Sequence, residues 1–236
     1  MHLLKRTILI TGASSGIGRA SAEHLLAQGH TVIGLSRDCS RFEDMGENFY
    51  PVQLDLSQLE GLPEKIRRLE QQFPDLNAAI FSAGIGRFGS LEEFSYSQIQ
   101  ALMNINFISP TFLTRALLPS FKRKNRSDLI YIGSEAALKG SRKGSIYCAS
   151  KFALRGFTQA LREECSNDCV RVCLINPGMV RTAFFDSLSF EPGSDAKNFL
   201  LPEDVAEAVS YVINARKDMV IDELNLNPAS KVVRKK

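Results

Sequence analysis

Short apolar runs rich in β-branched residues alternate with longer stretches of helical period along the whole chain. The first run covers 6–11. A glycine-rich turn follows it, then a helical pattern over 17–28 that stops at Gly29. Further strand-like runs are predicted at 31–36, 50–54, 78–82, 128–134, 170–175 and 220–226. Between them the spacing predicts helices over 63–73, 97–122, 145–165 and 202–215. Pro63 suits a first helical turn, and Glu203 and Asp204 favour the N-terminal end of a helix dipole. Near-continuous apolar strands alternating with helices predict an α/β fold, with a parallel sheet covered on both faces. No polar linker, composition break or repeat interrupts the pattern, which predicts one domain over 1–236. Residues 183–200 carry no clear period, and a loop that long is expected to be functional or mobile.

Composition narrows the classes. With 236 residues, 44% hydrophobic and 23% charged, the chain falls among globular proteins rather than disordered or fibrous ones. Its 29 lysines and arginines against 26 acids leave a net charge of +3 that is spread along the chain, a poor footprint for nucleic acid. No run of about 18 apolar residues predicts a membrane span. Lys5, Arg6 and Thr7 interrupt the N-terminal apolar run, which reads as a first strand rather than a signal peptide. Five cysteines without a paired motif suit a reducing cytoplasm. Cys165, Cys169 and Cys173 stand four apart, which is not a zinc spacing, so no metal site is expected. The three histidines, His2, His24 and His30, lie in no chemical motif.

The turn after the first strand reads Thr11-Gly12-Ala13-Ser14-Ser15-Gly16-Ile17-Gly18. Gly12 can make the tight turn, Gly16 can let a pyrophosphate approach the backbone, and Gly18 can let helix and strand pack closely. A helix N-terminus there would offer free N–H groups to phosphates. The spacing is Gly-x-x-x-Gly-x-Gly rather than the more usual G-x-G-x-x-G. At the end of the second strand, where an acid would hold a ribose 2′-hydroxyl, stands Ser36-Arg37, followed by Asp38. An arginine can pair with a 2′-phosphate, which points to NADP rather than NAD.

Tyr147 and Lys151 lie four apart, on one face of the helix predicted over 145–165. A tyrosine near pKa 10 exchanges protons poorly at neutral pH. A neighbouring cation is expected to lower it, and so tuned it can give a proton to a carbonyl or take one back. Ser134 ends a predicted strand upstream.

In these features the chain resembles the short-chain dehydrogenase/reductase family, over nearly its whole length. The resemblance implies a Rossmann-type doubly wound sheet in three α/β/α layers. It implies that Ser134, Tyr147 and Lys151 are catalytic and that Asn106 supports a proton relay. Cofactor contacts are implied for Gly12, Ser14, Ser15, Gly16, Ile17 and Gly18 in the turn, and for Ser36 and Arg37 after the second strand. Asp55, with Leu56, falls where the family contacts the adenine. Ala83 and Gly84 follow the fourth strand, and Tyr147 and Lys151 also reach the nicotinamide ribose. Pro177, Gly178, Val180 and Thr182 resemble the segment that holds the nicotinamide amide. Two positions depart from the family pattern. Phe81-Ser82-Ala83-Gly84 replaces Asn-Asn-Ala-Gly, and Ser15 replaces a basic residue common in NADP-using members, which leaves the 2′-phosphate to Arg37.

The function implied is an NADP(H)-dependent interconversion of a secondary alcohol and a ketone. Residues 202–209 and 221–228 resemble those of NADP-dependent members acting on 3-hydroxy acids. A non-catalytic nucleotide sensor on the same fold is the alternative, although such proteins typically lose the tyrosine or the lysine. Enoyl reductases space the pair more widely, and sugar-nucleotide epimerases need a larger C-terminal part. The helices over 97–122 and 145–165 resemble those that pair across two-fold axes, so a homodimer or homotetramer is expected. Phe184, Phe185 and Phe190 are candidates for lining a substrate lid, or simply pack the loop down. Lys139, Arg142 and Lys143 are candidates for drawing in an anion, or are solvated loop residues. The tail 231–236 reads as a frayed polar end, and Lys122 to Arg126 as a cationic helix cap.

Overall fold

The computed structural model describes residues 5–42 and 45–236; His2 lies outside the described residues. The strands are β1 (Thr7–Thr11), β2 (Thr31–Ser36), β3 (Phe49–Gln53), β4 (Leu76–Phe81), β5 (Ser127–Ile132), β6 (Val170–Pro177), β7 (Phe190–Pro192), β8 (Glu223–Leu226) and β9 (Val233–Lys235). The α-helices are α1 (Gly16–Ala27), α2 (Leu62–Gln72), α3 (Tyr96–Met103), α4 (Ser109–Phe121), α5 (Ser145–Glu164) and α6 (Pro202–Asn214). Seven strands form one sheet in the order β3-β2-β1-β4-β5-β6-β8. Every pairing in it is parallel.

The alternation of side chains along β1 shows how the layers arise. Ile8 and Ile10 point to one face and pack with Leu25 of α1 and with Val205 and Val209 of α6. Leu9 points the other way, toward Leu62 and Ile66 of α2, Leu113 and Leu117 of α4, and Leu154 of α5. Helices thus cover both faces, as the doubly wound reading requires.

Three features differ from the sequence reading. The helix expected over 97–122 is interrupted by a widened π-turn, Asn104–Ile108, between α3 and α4. Pro110 has no N–H to donate back one α-turn, and a widened turn accommodates that loss. The loop over 183–200 contains β7, which pairs antiparallel with β9 from the tail. The tail is therefore not frayed. Lys236 N donates to Ser189 O at 2.9 Å, and Gly193 N to Val232 O at 2.9 Å. Third, β8 begins at Glu223 rather than 220.

At the edge where the strands begin, the buried carboxylate of Asp128 holds three guanidinium groups. Arg6 Nη2 lies 2.8 Å away, Arg171 Nε 2.7 Å and Arg126 Nε 3.6 Å. Arg171 also donates to the carbonyls of Val212, in the last turn of α6, and Met219, past its end, both at 3.0 Å. Among the described residues the five cysteines are free, and no group of three or more His, Cys, Asp or Glu side chains is placed to hold a metal. No described helix is long and apolar enough to cross a membrane.

Candidate active site

The residues singled out in the sequence gather at the opposite edge, where the parallel strands end. Gly12 and Gly16 both have positive φ, +70° and +53°, which side chains rarely adopt. A Cβ on Gly18 would lie 2.3 Å from the Gly12 carbonyl oxygen, so helix α1 packs this closely only because the position is bare. Ser15 caps α1 in an extended conformation and makes no side-chain capping bond, so it does not occupy the first-turn N–H groups. A Cβ on Gly16 would meet Thr182 Cγ2 at 3.3 Å, which brings the segment after β6 against the turn. These features form a concave, amide-lined cradle that suits a pyrophosphate.

The cradle is braced from both sides. Ser36 Oγ donates to Ser14 Oγ at 2.8 Å, tying β2 to the turn. Thr11 Oγ1 accepts from the N–H groups of Ser82 and Ala83 at 3.0 and 3.1 Å, joining β1 to the end of β4. Arg37 is exposed, and Asp38 is committed to Ser40, accepting from its N–H at 2.9 Å and its hydroxyl at 2.7 Å. Asp55 accepts from Ser57 N at 2.9 Å, and this bond, with help from Arg37, holds its carboxyl below the usual range. Leu56 beside it is buried. Gly178 N donates to Leu226 O at 2.7 Å, and Val180 bridges to Leu200, so β6 and β8 set the position of the Pro177–Thr182 segment.

Tyr147 sits in the first turn of α5 and is buried. Lys151, one turn on, is buried too; its Nζ donates to Ile132 O at 3.0 Å and lies 6.0 Å from the Tyr147 ring centre. The expectation that a cation lowers the tyrosine is not met in this structure. Burial pushes the Tyr147 phenol up to about 12, with the Ser134 hydroxyl pulling the other way and Cys148 and Glu135 adding to the rise. Burial likewise lowers the Lys151 amine to about 8. When both groups are desolvated, the loss of hydration outweighs their mutual attraction.

Asn106 lies in the π-turn. Its side chain accepts from Ile85 N at 2.9 Å and donates to Ile85 O at 3.0 Å and Ser150 Oγ at 3.1 Å. Ser150 Oγ in turn donates to Tyr147 O at 2.7 Å. Gly84 stands between these groups: a Cβ there would be 3.4 Å from Asn106 Oδ1 and 3.9 Å from Lys151 Nζ. Both amide hydrogens of Asn106 are taken, so its side chain serves as a brace.

Sequence reasoning overlooked the support under Ser134. Asn176, buried at the end of β6, accepts from Ser134 N at 3.3 Å and donates to Glu223 Oε1 at 2.9 Å and Asn225 Oδ1 at 3.0 Å. Arg155 of α5 reaches the same Glu223 at 3.0 Å. The one available signal was an amide in an otherwise apolar strand, which must find partners when buried. Phe184, Phe185 and Phe190 pack with Phe88, Met179 and Leu188 beside Tyr147. Lys139, Arg142 and Lys143 are exposed between Ser134 and Tyr147.

Comparison with known proteins agrees with this geometry. The family model described as short chain dehydrogenase matches residues 6–192. The NADP-dependent 3-hydroxy acid dehydrogenase of Schizosaccharomyces pombe is 31% identical, over 95% of this chain and 93% of that protein. The alcohol dehydrogenase of the archaeon Thermococcus sibiricus, solved with 5-hydroxy-NADP, superposes with a TM-score of 0.87 at 27% identity, covering 97% and 99% of the two chains. The serine dehydrogenase of Escherichia coli superposes with a TM-score of 0.81 at 28% identity, covering 93% and 96%. With the glycine cradle at the end of β1, and with Tyr147 and Lys151 one turn apart beside it, the chain belongs to the short-chain dehydrogenase family.

Proposed function

We propose that this chain, acting as one domain, is an NADP(H)-dependent oxidoreductase that interconverts a secondary alcohol and a ketone. It would be a carbonyl reductase or a dehydrogenase of the 3-hydroxy acid type. The observation that carries the reading is a buried Tyr147 at the strand ends, one helical turn from a buried Lys151 and next to a bare glycine cradle. The cradle fits a dinucleotide pyrophosphate, and Arg37 is exposed beside Asp55 at the far end, where a 2′-phosphate would be met. Gly12, Gly16 and Gly18 would hold the phosphates, with Ser14, Ser15, Ile17 and Ser36 around them. Asp55 and Leu56 would flank the adenine, Ala83 and Gly84 the ribose, and Pro177, Gly178, Val180 and Thr182 the nicotinamide. The cofactor supplies or accepts the hydride.

The chain's own part is proton handling and positioning. The phenol keeps its proton at neutral pH and would give it to a carbonyl oxygen as that oxygen becomes basic on hydride transfer; burial, which raises it to about 12, opposes that donation, and the Ser134 hydroxyl favours it. Ser134 would hydrogen-bond the same oxygen and hold it near Tyr147, its backbone set by Asn176. Lys151, lowered to about 8, can gain and lose a proton near neutrality and would resupply the phenol. Asn106 fixes the α5 backbone through Ser150, and a relay water would use its remaining acceptor positions.

A homodimer or homotetramer is proposed through α4 and α5, which flank a groove lined by Thr111, Leu118, Phe157 and Leu161. Phe112 and Phe152 are exposed on these helices. Light scattering at micromolar concentration checks the assembly. The cytoplasm is the proposed location, on cysteine usage. The deciding experiment incubates the protein with NADPH and a panel of ketones and follows NADPH absorbance. Consumption with a ketone supports the reading, and tight NADPH binding without consumption favours a sensor.

A further inference from the structure

The paired main chains of β5 and β6 end at the site. Their register closes at Ile132 and Ile175, and Gly133 N adds one more bond, donating to Ile175 O at 2.7 Å. The following N–H, that of Ser134, donates to a side chain instead, Asn176 Oδ1 at 3.3 Å. The amide stands so close that a Cβ on Gly133 would lie 2.1 Å from Oδ1. Ser134 is extended here, and its Oγ accepts from Ala136 N at 3.1 Å. The hydroxyl hydrogen is left for the Tyr147 oxygen, and that bond pulls the phenol down.

An amide can be turned over, and only one way round serves Ser134. Reversed, the Asn176 Nδ2 group would face the Ser134 N–H, donor against donor. Glu223 and Asn225, two apart on one face of β8, fix the choice. Glu223 Oε1 accepts from Asn176 Nδ2 at 2.9 Å, and Asn225 Oδ1 accepts from it at 3.0 Å. Reversal would set Asn176 Oδ1 against the Glu223 carboxylate. The other carboxylate oxygen, Oε2, accepts from Arg155 Nε at 3.0 Å. Arg155 stands one turn beyond Lys151 and two beyond Tyr147, on the same face of α5. The Glu223 side chain is 20% exposed and Asn176 is buried, so these charge-assisted bonds are stronger than they would be in water. An unbroken chain from Arg155 through Glu223 and Asn176 to Ser134 thus joins the helix that carries the phenol to the serine beside it.

Resting on the reading that Ser134 and Tyr147 share the carbonyl oxygen, we infer that Glu223 is a positioning residue for the reaction. Its carboxylate holds the Asn176 amide the way round that seats Ser134 against Tyr147, and Arg155 ties that setting to α5.

The test uses the full chain with NADPH and a ketone that the parent protein reduces. Glu223→Ala should lower kcat by about tenfold to a hundredfold with NADPH affinity unchanged. Glu223→Gln keeps the shape of the side chain but can serve Asn176 or Arg155, not both, so it should lose less. In the oxidising direction, the pH at which kcat/KM for the alcohol rises should move upward in both variants, because the phenol loses the pull of Ser134. Ser134→Ala supplies the decisive comparison. Adding Glu223→Ala to it should cost little more, since both changes remove the same interaction. Full kcat in both Glu223 variants, or losses that multiply in the double variant, would overturn the inference and leave the reductase reading standing. So would a fall in NADPH affinity as large as the fall in kcat, which would assign the carboxylate to the cofactor segment after β6. Failure of the parent protein with every ketone tried overturns the reductase reading itself.

Discussion

Where the strands begin, Asp128 draws Arg6, Arg126 and Arg171 into a buried cluster whose cations also reach main-chain carbonyls. Where they end, Lys151 is equally buried but has the single carbonyl of Ile132 as its hydrogen-bond partner. Both edges remove cations from water. At the first, one carboxylate and several carbonyls compensate much of the loss, although Arg6 Nη1 and Arg126 Nε have no hydrogen-bond partner among the described residues and burial lowers Arg126, and the contacts lock β1, β5 and β6 together. At the second, compensation is partial, and the amine drops to about 8. A buried cation held by a carboxylate is a fastener, and one that has only a carbonyl for a partner is available for proton transfer.

The sharpest way to separate the two edges is to remove one group from each. Tyr147→Phe keeps the ring and its contacts with Phe88 and Phe184. Turnover should fall by about 10²–10⁴-fold or more while NADPH still binds, as measured by steady-state kinetics and fluorescence titration. Asp128→Ala works at the other edge and leaves the buried guanidinium groups of Arg6 and Arg171 and the half-buried one of Arg126 without their counter-ion. It should cost about 3–5 kcal/mol of stability in urea unfolding. The protein that remains folded should keep its kcat, because the site lies at the far ends of the strands.

Lys151→Met tests the opposite sign. The amine's drop from 10.5 to about 8 represents on the order of 3 kcal/mol held against folding at neutral pH. From about pH 8 toward 10.5 the unfolded chain holds a proton that the folded one has released, so stability should rise with pH in that window. Above about pH 10 Tyr147 reverses the trend, because the folded phenol keeps its proton up to about 12. Lys151→Met should be more stable at pH 7, lose the rise between pH 8 and 10, and lose activity. Urea midpoints measured at each pH show this directly.

Smaller effects probe the cofactor and substrate ends of the cleft. Arg37→Ala should weaken NADPH binding by about 1.5–3 kcal/mol and leave NADH nearly unaffected. Removing residues 231–236 takes away β9 and the Lys231–Glu135 pair. Here KM for the carbonyl should rise by roughly fivefold, about 1 kcal/mol, with NADPH affinity unchanged.

What could be read in the sequence follows the range of the interactions involved. The alternation at Ile8, Leu9 and Ile10 is local, and it predicts two covered faces correctly. Tyr147 and Lys151 stand out because four residues make one helical turn. The glycines of the cradle stand out because their spacing answers to one turn of backbone. Ser134 needed the family resemblance, since nothing near it in sequence reveals that Asn176 supports it from a neighbouring strand. The Asp128 cluster escaped notice because its arginines come from just before β1, just before β5 and from β6, with no periodicity linking them. The π-turn at Asn104–Ile108 was hidden because a helical period survives one widened turn. The tail misled for a related reason: a three-residue strand with exposed lysines has no apolar face, and only β7 makes it a strand.

The pairing of β7 with β9 also bears on how the protein is made. Synthesis runs from the N-terminus, and Val233 follows Phe190 by about forty residues, a few seconds of elongation at roughly 5–20 residues per second. During that interval β1 to β6 can assemble and the glycine cradle can form. The rings of Phe184, Phe185 and Phe190 are then out of water only as far as Phe88, Met179 and Leu188 cover them. Asn176 likewise waits for Glu223 and Asn225. The nascent chain can therefore close its glycine cradle first, and the β7 edge and the Asn176 amide gain their partners only when the later strands emerge.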